Sequence, residues 1–244
     1  MSLSNNTTLR TNFNESPYWD DFDETKGFHR ALFNPERGVQ ARELTTIQTM
    51  VQNQISRFAN HIFKDGSRVA GGDFRIDLDA RYVKLRDLNP LGNTVTVSNF
   101  IGTELVSDTT GVKAHVMAAN TGSEAATPNL KTVYVRYTGA NTSGTAVFVP
   151  GENLTANSGF TAKVASGGTA VGNSALFTLT EGIVYAKGFF VWHPEATIVL
   201  EKYHNRPDCR VGLTVTEDIV TFNDDATLLD PAQEASAYQS PGSD

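Results

Sequence analysis

The chain has 244 residues, 39% of them hydrophobic and 19% charged, with a net charge of −7. That is enough chain to bury a real core. The profile is neither that of a highly charged disordered chain nor that of a membrane protein, and the sign of the charge is wrong for a general nucleic-acid binder, which carries a basic stripe.

The single cysteine, Cys209, cannot close an intrachain disulfide, so disulfide scaffolds and Cys-rich zinc modules are excluded. Cys209 itself reads as a half-buried strand residue. The first residues show no basic region followed by an apolar one, so no signal peptide is expected. No apolar run is long enough to span a bilayer. The chain is expected to be made in a cytoplasm and to stay soluble, with no membrane insertion.

Residues 1–17 are polar, with four Asn, and read as an extended arm. An aromatic and acidic patch follows, Tyr18-Trp19-Asp20-Asp21-Phe22-Asp23-Glu24, then Phe28-His29-Arg30-Ala31-Leu32-Phe33 and a turn at Asn34-Pro35-Glu36-Arg37-Gly38. From 41 to 63 the apolar residues Leu44, Ile47, Val51, Ile55, Phe58 and Ile62 recur at spacings of 3, 4, 4, 3 and 4. That is the period of an amphipathic helix, which should bury all six on one stripe and stop near Gly66.

After Gly66 the period falls to two. Residues 68–76 and 80–88 read as strands, with a turn at Asn89-Pro90-Leu91-Gly92-Asn93. Residues 91–180 hold only eight charged side chains among Gly-, Asn-, Ser- and Thr-rich turns. Short β-type runs at 94–101, 112–117, 132–138, 145–149 and 175–179 point to a small β-sandwich or barrel module, inserted in a sheet that resumes later. Strand signals return at 183–192, 196–203 and 210–220, and an acidic, irregular tail runs over 221–244. The expected class is α+β, mostly β, in five parts: an arm (1–17), a helix-containing part (18–90), the β module (91–180), closing strands (181–220) and the tail (221–244).

No nucleophile elbow, Walker A loop, zincin helix or EF-hand loop is present. The Gly-rich run 167–172 lacks the helix a phosphate loop needs. His193, His204 and Cys209 have no zinc-site spacing, and His61 falls where a helix-end interaction is expected. Asp77 and Asp79 are placed to share one strand face, as a glycosidase pair does, but read better as a solvated edge. Asp20, Asp21, Asp23 and Glu24 resemble an exposed turn more than a Ca²⁺ loop. No catalytic, cofactor or metal residue is assigned, and no enzyme is expected. The aromatics Tyr18, Trp19, Phe22, Phe28 and Phe33 either cover their own core or anchor the segment on a partner subunit. With Phe13 at one end and Leu228, Leu229 and Tyr238 at the other, they form the candidate partner interface.

These same residues carry a resemblance. Tyr18-Trp19-Asp20-Asp21-Phe22-Asp23, Phe28-His29-Arg30-Ala31-Leu32-Phe33-Asn34-Pro35, and the stretches 38–45, 48–55 and 61–67 resemble the N-terminal signature of a virion-protein family. Leu200-Glu201-Lys202-Tyr203, Arg210-Val211-Gly212-Leu213, Glu217-Asp218-Ile219-Val220, Leu228-Leu229-Asp230-Pro231-Ala232 and Tyr238-Gln239-Ser240-Pro241-Gly242 are similar to the same family. It is a domain of unknown function in tail-fibre-like and baseplate-associated proteins of tailed bacteriophages, cyanophages among them. The resemblance covers about 18–90 and 181–244. It implies a structural part of a phage tail, a baseplate or fibre-attachment subunit that connects fibres to the tail. The expected partners are other tail, baseplate and fibre proteins, and further copies of the chain as a trimer, with a dimer second. A receptor- or glycan-binding adhesin module that meets a host surface glycan is the alternative, and a polysaccharide depolymerase the third.

Overall fold

The computed structural model describes residues 13–122, 131–139, 146–231 and 239–240. The fold is mostly β, with a single α-helix among the described residues and a seven-stranded sheet curled like half a barrel.

The helix, α1 (Ala41–Ile62), forms where the periodic run predicts it. At its start the Gln40 backbone N–H donates to Glu43 Oε2 at 2.9 Å, and the Glu43 charge lies at the positive end of the helix dipole. It stops when Phe63 turns to extended backbone with its N–H still on the Ala59 carbonyl. Gly66, with φ of 83°, makes the turn after the helix rather than its end.

The described strands are β1 (Ser67–Gly71), β2 (Phe74–Asp77), β3 (Arg81–Leu85), β4 (Glu104–Ser107), β5 (Lys113–Asn120), β6 (Lys131–Gly139), β7 (Asn153–Ala156), β8 (Thr161–Lys163), β9 (Val171–Asn173), β10 (Ala175–Leu179), β11 (Gly182–Ala186), β12 (Phe189–His193) and β13 (Ala196–Glu201). They form three sheets, ordered β1-β11-β12, β13-β10-β2 and β8-β7-β4-β5-β6-β3-β9. The chain divides into two compact units. One comprises Met1–Ser67, Tyr185–Phe189 and Gly212–Asp244, the other Arg68–Val184 and Phe190–Val211.

In the second unit the seven-stranded sheet is antiparallel throughout, with Val83 opposite Val133 and Val116 opposite Val135. Its inner face buries Val83, Leu85, Leu105, Val116, Val133 and Leu154 around Phe100 and Phe148. A bulge between Val116 and Ala118 shifts the β5 register, so that Ala118 joins Tyr82 and Tyr134 on the outer face. There Leu176 of β10 and Val199 of β13 close a second, smaller core. Lys84, buried on that face, lays its ammonium 4.6 Å from the Tyr203 ring centre, a cation–π contact that offsets part of its desolvation.

Two sequence runs break where glycine permits. Residues 68–76 split into β1 and β2 at Gly71-Gly72, both at positive φ. A Cβ on Gly71 would meet the Glu181 carbonyl oxygen at 2.5 Å, and one on Gly182 would meet the Gly72 nitrogen at 2.3 Å, so glycine is required where these backbones pass. The run 183–192 folds back at Lys187-Gly188, also both at positive φ, as a hairpin of β11 and β12.

Several expectations are corrected. Residues 94–101 form a 3₁₀ turn at Val97–Phe100 instead of a strand, though Val95, Val97 and Phe100 are buried. No strand forms over 146–149 or 210–220, and Cys209 is exposed in irregular backbone. Strands β4, β7, β8 and β9 were not foreseen.

The largest correction concerns α1. Leu44, Val51, Ile55, Phe58 and Ile62 keep their common stripe but lie between 41% and 68% exposed, and only Ile47 is half-buried. The helix buries Ser56 and Ala59 instead. The physical reason lies in the polar residues of the opposite side, which hold the helix to its own unit.

Candidate interaction surface

The first unit is built around that polar side. Tyr185, fully buried, donates from its hydroxyl to Asn60 Oδ1 at 2.8 Å, and its ring lies 5.7 Å from that of Phe63. Gln52 Nε2 donates to the Gly188 carbonyl at 3.0 Å. Lys187 N–H donates to Asp65 Oδ1 at 2.7 Å, and Gly66 N–H to the Tyr185 carbonyl at 2.8 Å.

The acidic patch has the same purpose. Asp20, buried, accepts from the Thr49 hydroxyl and from the Phe22 N–H. Asp21 pairs with Arg42, and Glu24 with Arg57. Asp23 caps the short 3₁₀ turn Glu24–Lys26, accepting from the Thr25 hydroxyl and N–H, and these bonds, the hydroxyl's foremost, hold its carboxyl below the usual range. Three of the four carboxylates therefore fasten residues 20–24 along α1, and the fourth shapes the turn. Their oxygens do not converge on one point, as a Ca²⁺ loop requires, and no metal-ligand cluster occurs among the described residues.

At 100° per residue, Gln52, Ser56, Ala59 and Asn60 span an arc of ~100°, and the apolar stripe lies ~130° away from it. α1 thus turns its polar side inward and its apolar side outward. Beside the stripe, Phe22 and Phe28 face Met50, Val51 and Ile55 across a groove of about 400 Å³.

The predicted interface residues fall into three groups. Phe13 and Tyr18 are half-buried and pack edge to face, 5.9 Å apart, across a turn closed by Asp20 N–H on the Phe13 carbonyl. Phe22, Leu228 and Leu229 are half-buried. Trp19, Phe28 and Phe33 are exposed, Trp19 from a backbone at φ 49° that few non-glycine residues adopt. Tyr238 lies outside the described residues, as do residues 1–12 of the expected arm.

The second unit carries a further apolar face that sequence reading missed. In the sheet β13-β10-β2, Phe177 stands opposite Ile76 on one side and Ile198 on the other, and Phe74 opposite Leu179. The Phe74 and Phe177 rings stack with centres 6.0 Å apart. Phe74, Ile76 and Ile198 are exposed, while Leu176 and Val199 point the other way, into the core. The available signal was the alternation of Phe74 and Ile76 with Arg75 and Asp77.

The remaining candidates resolve into structure. Asp77 is buried, pairs with Arg136 at 3.3 Å and accepts from the Asp79 N–H, while Asp79 stays exposed. The Gly-rich run 167–172 leads into β9, where a Cβ on Gly172 would meet the Tyr82 ring at 2.6 Å. No described helix is long and apolar enough to cross a membrane.

A family model described as a domain of unknown function, DUF4815, matches residues 16–89 of the chain. That span holds the patch fastened to α1, the helix itself and strands β1 to β3. Neither the curated proteins nor the solved structures contain a match.

Proposed function

We propose that the chain is a structural component of a bacteriophage tail, a baseplate or fibre-attachment subunit that joins fibres to the tail. One observation carries the assembly part of this reading: α1 is held by its polar side and offers an apolar stripe to the outside. Leaving five large apolar side chains in water along one helix forfeits roughly 1.5–3 kcal/mol for each that could be fully buried. A contiguous apolar patch of that kind marks an interaction surface. The phage setting rests on the resemblance of residues 18–90 and 181–244 to tail-associated proteins.

The test is to purify particles from the phage whose genome encodes the chain, count its copies by quantitative mass spectrometry and locate them by immunogold labelling. A fixed copy number at the baseplate, retained in particles that have lost their fibres, is expected. Absence from particles overturns the reading. Loss together with the fibre tips overturns it in favour of the adhesin alternative.

A further inference from the structure

We infer that the occupant of the α1 stripe is the same stripe on another copy of this chain, the helices packing side by side with almost no supercoil. This rests on the assembly reading above and names its partner.

The period of the stripe carries the inference. Leu44 recurs as Ile55, Ile47 as Phe58 and Val51 as Ile62, each eleven residues on. One complete 3-4-4 repeat and most of a second run from Leu44 to the end of the helix at Ile62. An eleven-residue repeat corresponds to about 3.67 residues per turn, close to the 3.6 of a straight helix, and gives a seam with a slight right-handed twist where a heptad seam winds left-handed. A groove for an unlike partner needs only a local patch. A stripe kept in line from the first turn to the last matches another helix of the same length and repeat, and a second copy supplies one.

Charge agrees. Between Leu44 and Ile62 the only Lys, Arg, Asp or Glu is Arg57, and it pairs with Glu24 of its own chain. An identical copy presents identical charge, so a surface that meets itself must avoid a concentration of one sign. The chain as a whole carries −7, yet this face carries almost none of it. The segments outside the described residues are poor candidates to cover the stripe. Residues 123–130 contain one Leu, residues 232–238 one Tyr, residues 140–145 and 241–244 no large apolar side chain, and residues 1–12 offer Met1, Leu3 and Leu9 alone against six positions.

The test uses the full 244-residue chain in light scattering coupled to size exclusion. The wild type is expected at two or more times 26.5 kDa, and Val51→Glu/Phe58→Glu at 26.5 kDa, with an unchanged circular dichroism spectrum. A second measurement guards against misfolding. In a Cys209→Ser background, Leu44→Cys or Ile55→Cys is expected to form chain-to-chain cross-links under mild oxidation, and Thr46→Cys, on the far side of the helix, at least tenfold fewer. A wild type that stays monomeric at tens of micromolar, or equal cross-linking from both sides, overturns the inference. If that monomer still requires Val51 and Phe58 to enter particles, the stripe docks on an unlike protein and the assembly reading stands. If the double variant enters particles normally, the assembly reading falls too.

Discussion

The hydroxyl of Tyr185 donates to the side-chain oxygen of Asn60 at 2.8 Å, which joins residues 125 positions apart inside one compact unit. The ring is fully buried, so hydrogen bond and packing can be separated by substitution. Tyr185→Phe should lower stability by about 1 kcal/mol. Tyr185→Ala should lower it by about 3–5 kcal/mol. Urea unfolding followed by circular dichroism reads both, and equal losses would show that the hydroxyl is the whole contribution.

Asp20 fastens the aromatic segment to α1 through Thr49 while also accepting from the Phe22 N–H. Asp20→Ala leaves both donors without this acceptor and should cost about 1–3 kcal/mol. The loss should be local. Limited proteolysis is expected to cut the 20–40 segment faster, with the β-sheet fragments unaffected.

Phe58 and Phe148 make a matched pair of opposite expectation. Phe148 sits in the main core and Phe58 on the outward stripe. In a chain kept monomeric by dilution, Phe58→Ala should change stability by less than about 0.5 kcal/mol. Phe148→Ala should cost about 3–5 kcal/mol. A large Phe58 effect that grows with protein concentration would report association.

Alkaline titration should unfold the β unit late. Burial pushes the Tyr137 hydroxyl up to about 12, opposed by the Phe148 N–H that donates to it, and burial pushes Tyr134 up further. Folding therefore holds these protons more tightly than the unfolded chain, in which tyrosine titrates near ~10. Their contribution to stability is complete below that value and is lost as pH climbs towards 12. Absorbance at the tyrosinate band should show the ionisation of Tyr134 and Tyr137 appearing together with loss of the β signal. Tyr137→Phe should move that loss to higher pH.

Gly182 should tolerate no side chain, because a Cβ there would lie 2.3 Å from the Gly72 nitrogen. Gly182→Ala is expected to cost about 1–3 kcal/mol or more. Gly212→Ala, where nothing lies within 4 Å, serves as the neutral control. Thermal melts of the two variants side by side decide the point.

What could be read from the chain in advance follows from how each signal arises. The limits of α1 were legible because an unbroken run with helical period admits few other structures. Its inward side was not. Periodicity marks where Leu44, Val51 and Phe58 lie relative to one another, and only the folded chain shows that Thr49, Gln52 and Asn60 have partners waiting. Strands β8 and β9, three residues each, are too short to show a dependable alternation. Val95 and Val97 alternate as a strand would, yet the chain coils between them while still burying both. The apolar sheet face escaped because Phe74 meets Phe177 only through pairing across more than a hundred residues of sequence, and Ile198 joins them from a third strand. Of the expected interface, the exposed positions of Trp19, Phe28 and Phe33 required the turn and the carboxylate anchors to be seen together.

The stacked pair Phe74 and Phe177 has a consequence for handling the molecule. With Ile76 and Ile198 they give the free chain a second adhesive surface, on a different unit from the helix. Between copies, the long-range force that opposes adhesion is mutual repulsion from a net charge of −7. That repulsion weakens as the medium is acidified towards the isoelectric point near 5.2 and as salt shortens its reach. Unassembled chain should therefore cloud reversibly near that pH, and sooner in high salt. Phe74→Lys, which replaces an adhesive ring with a charge while leaving the buried side of β2 intact, should keep it clear.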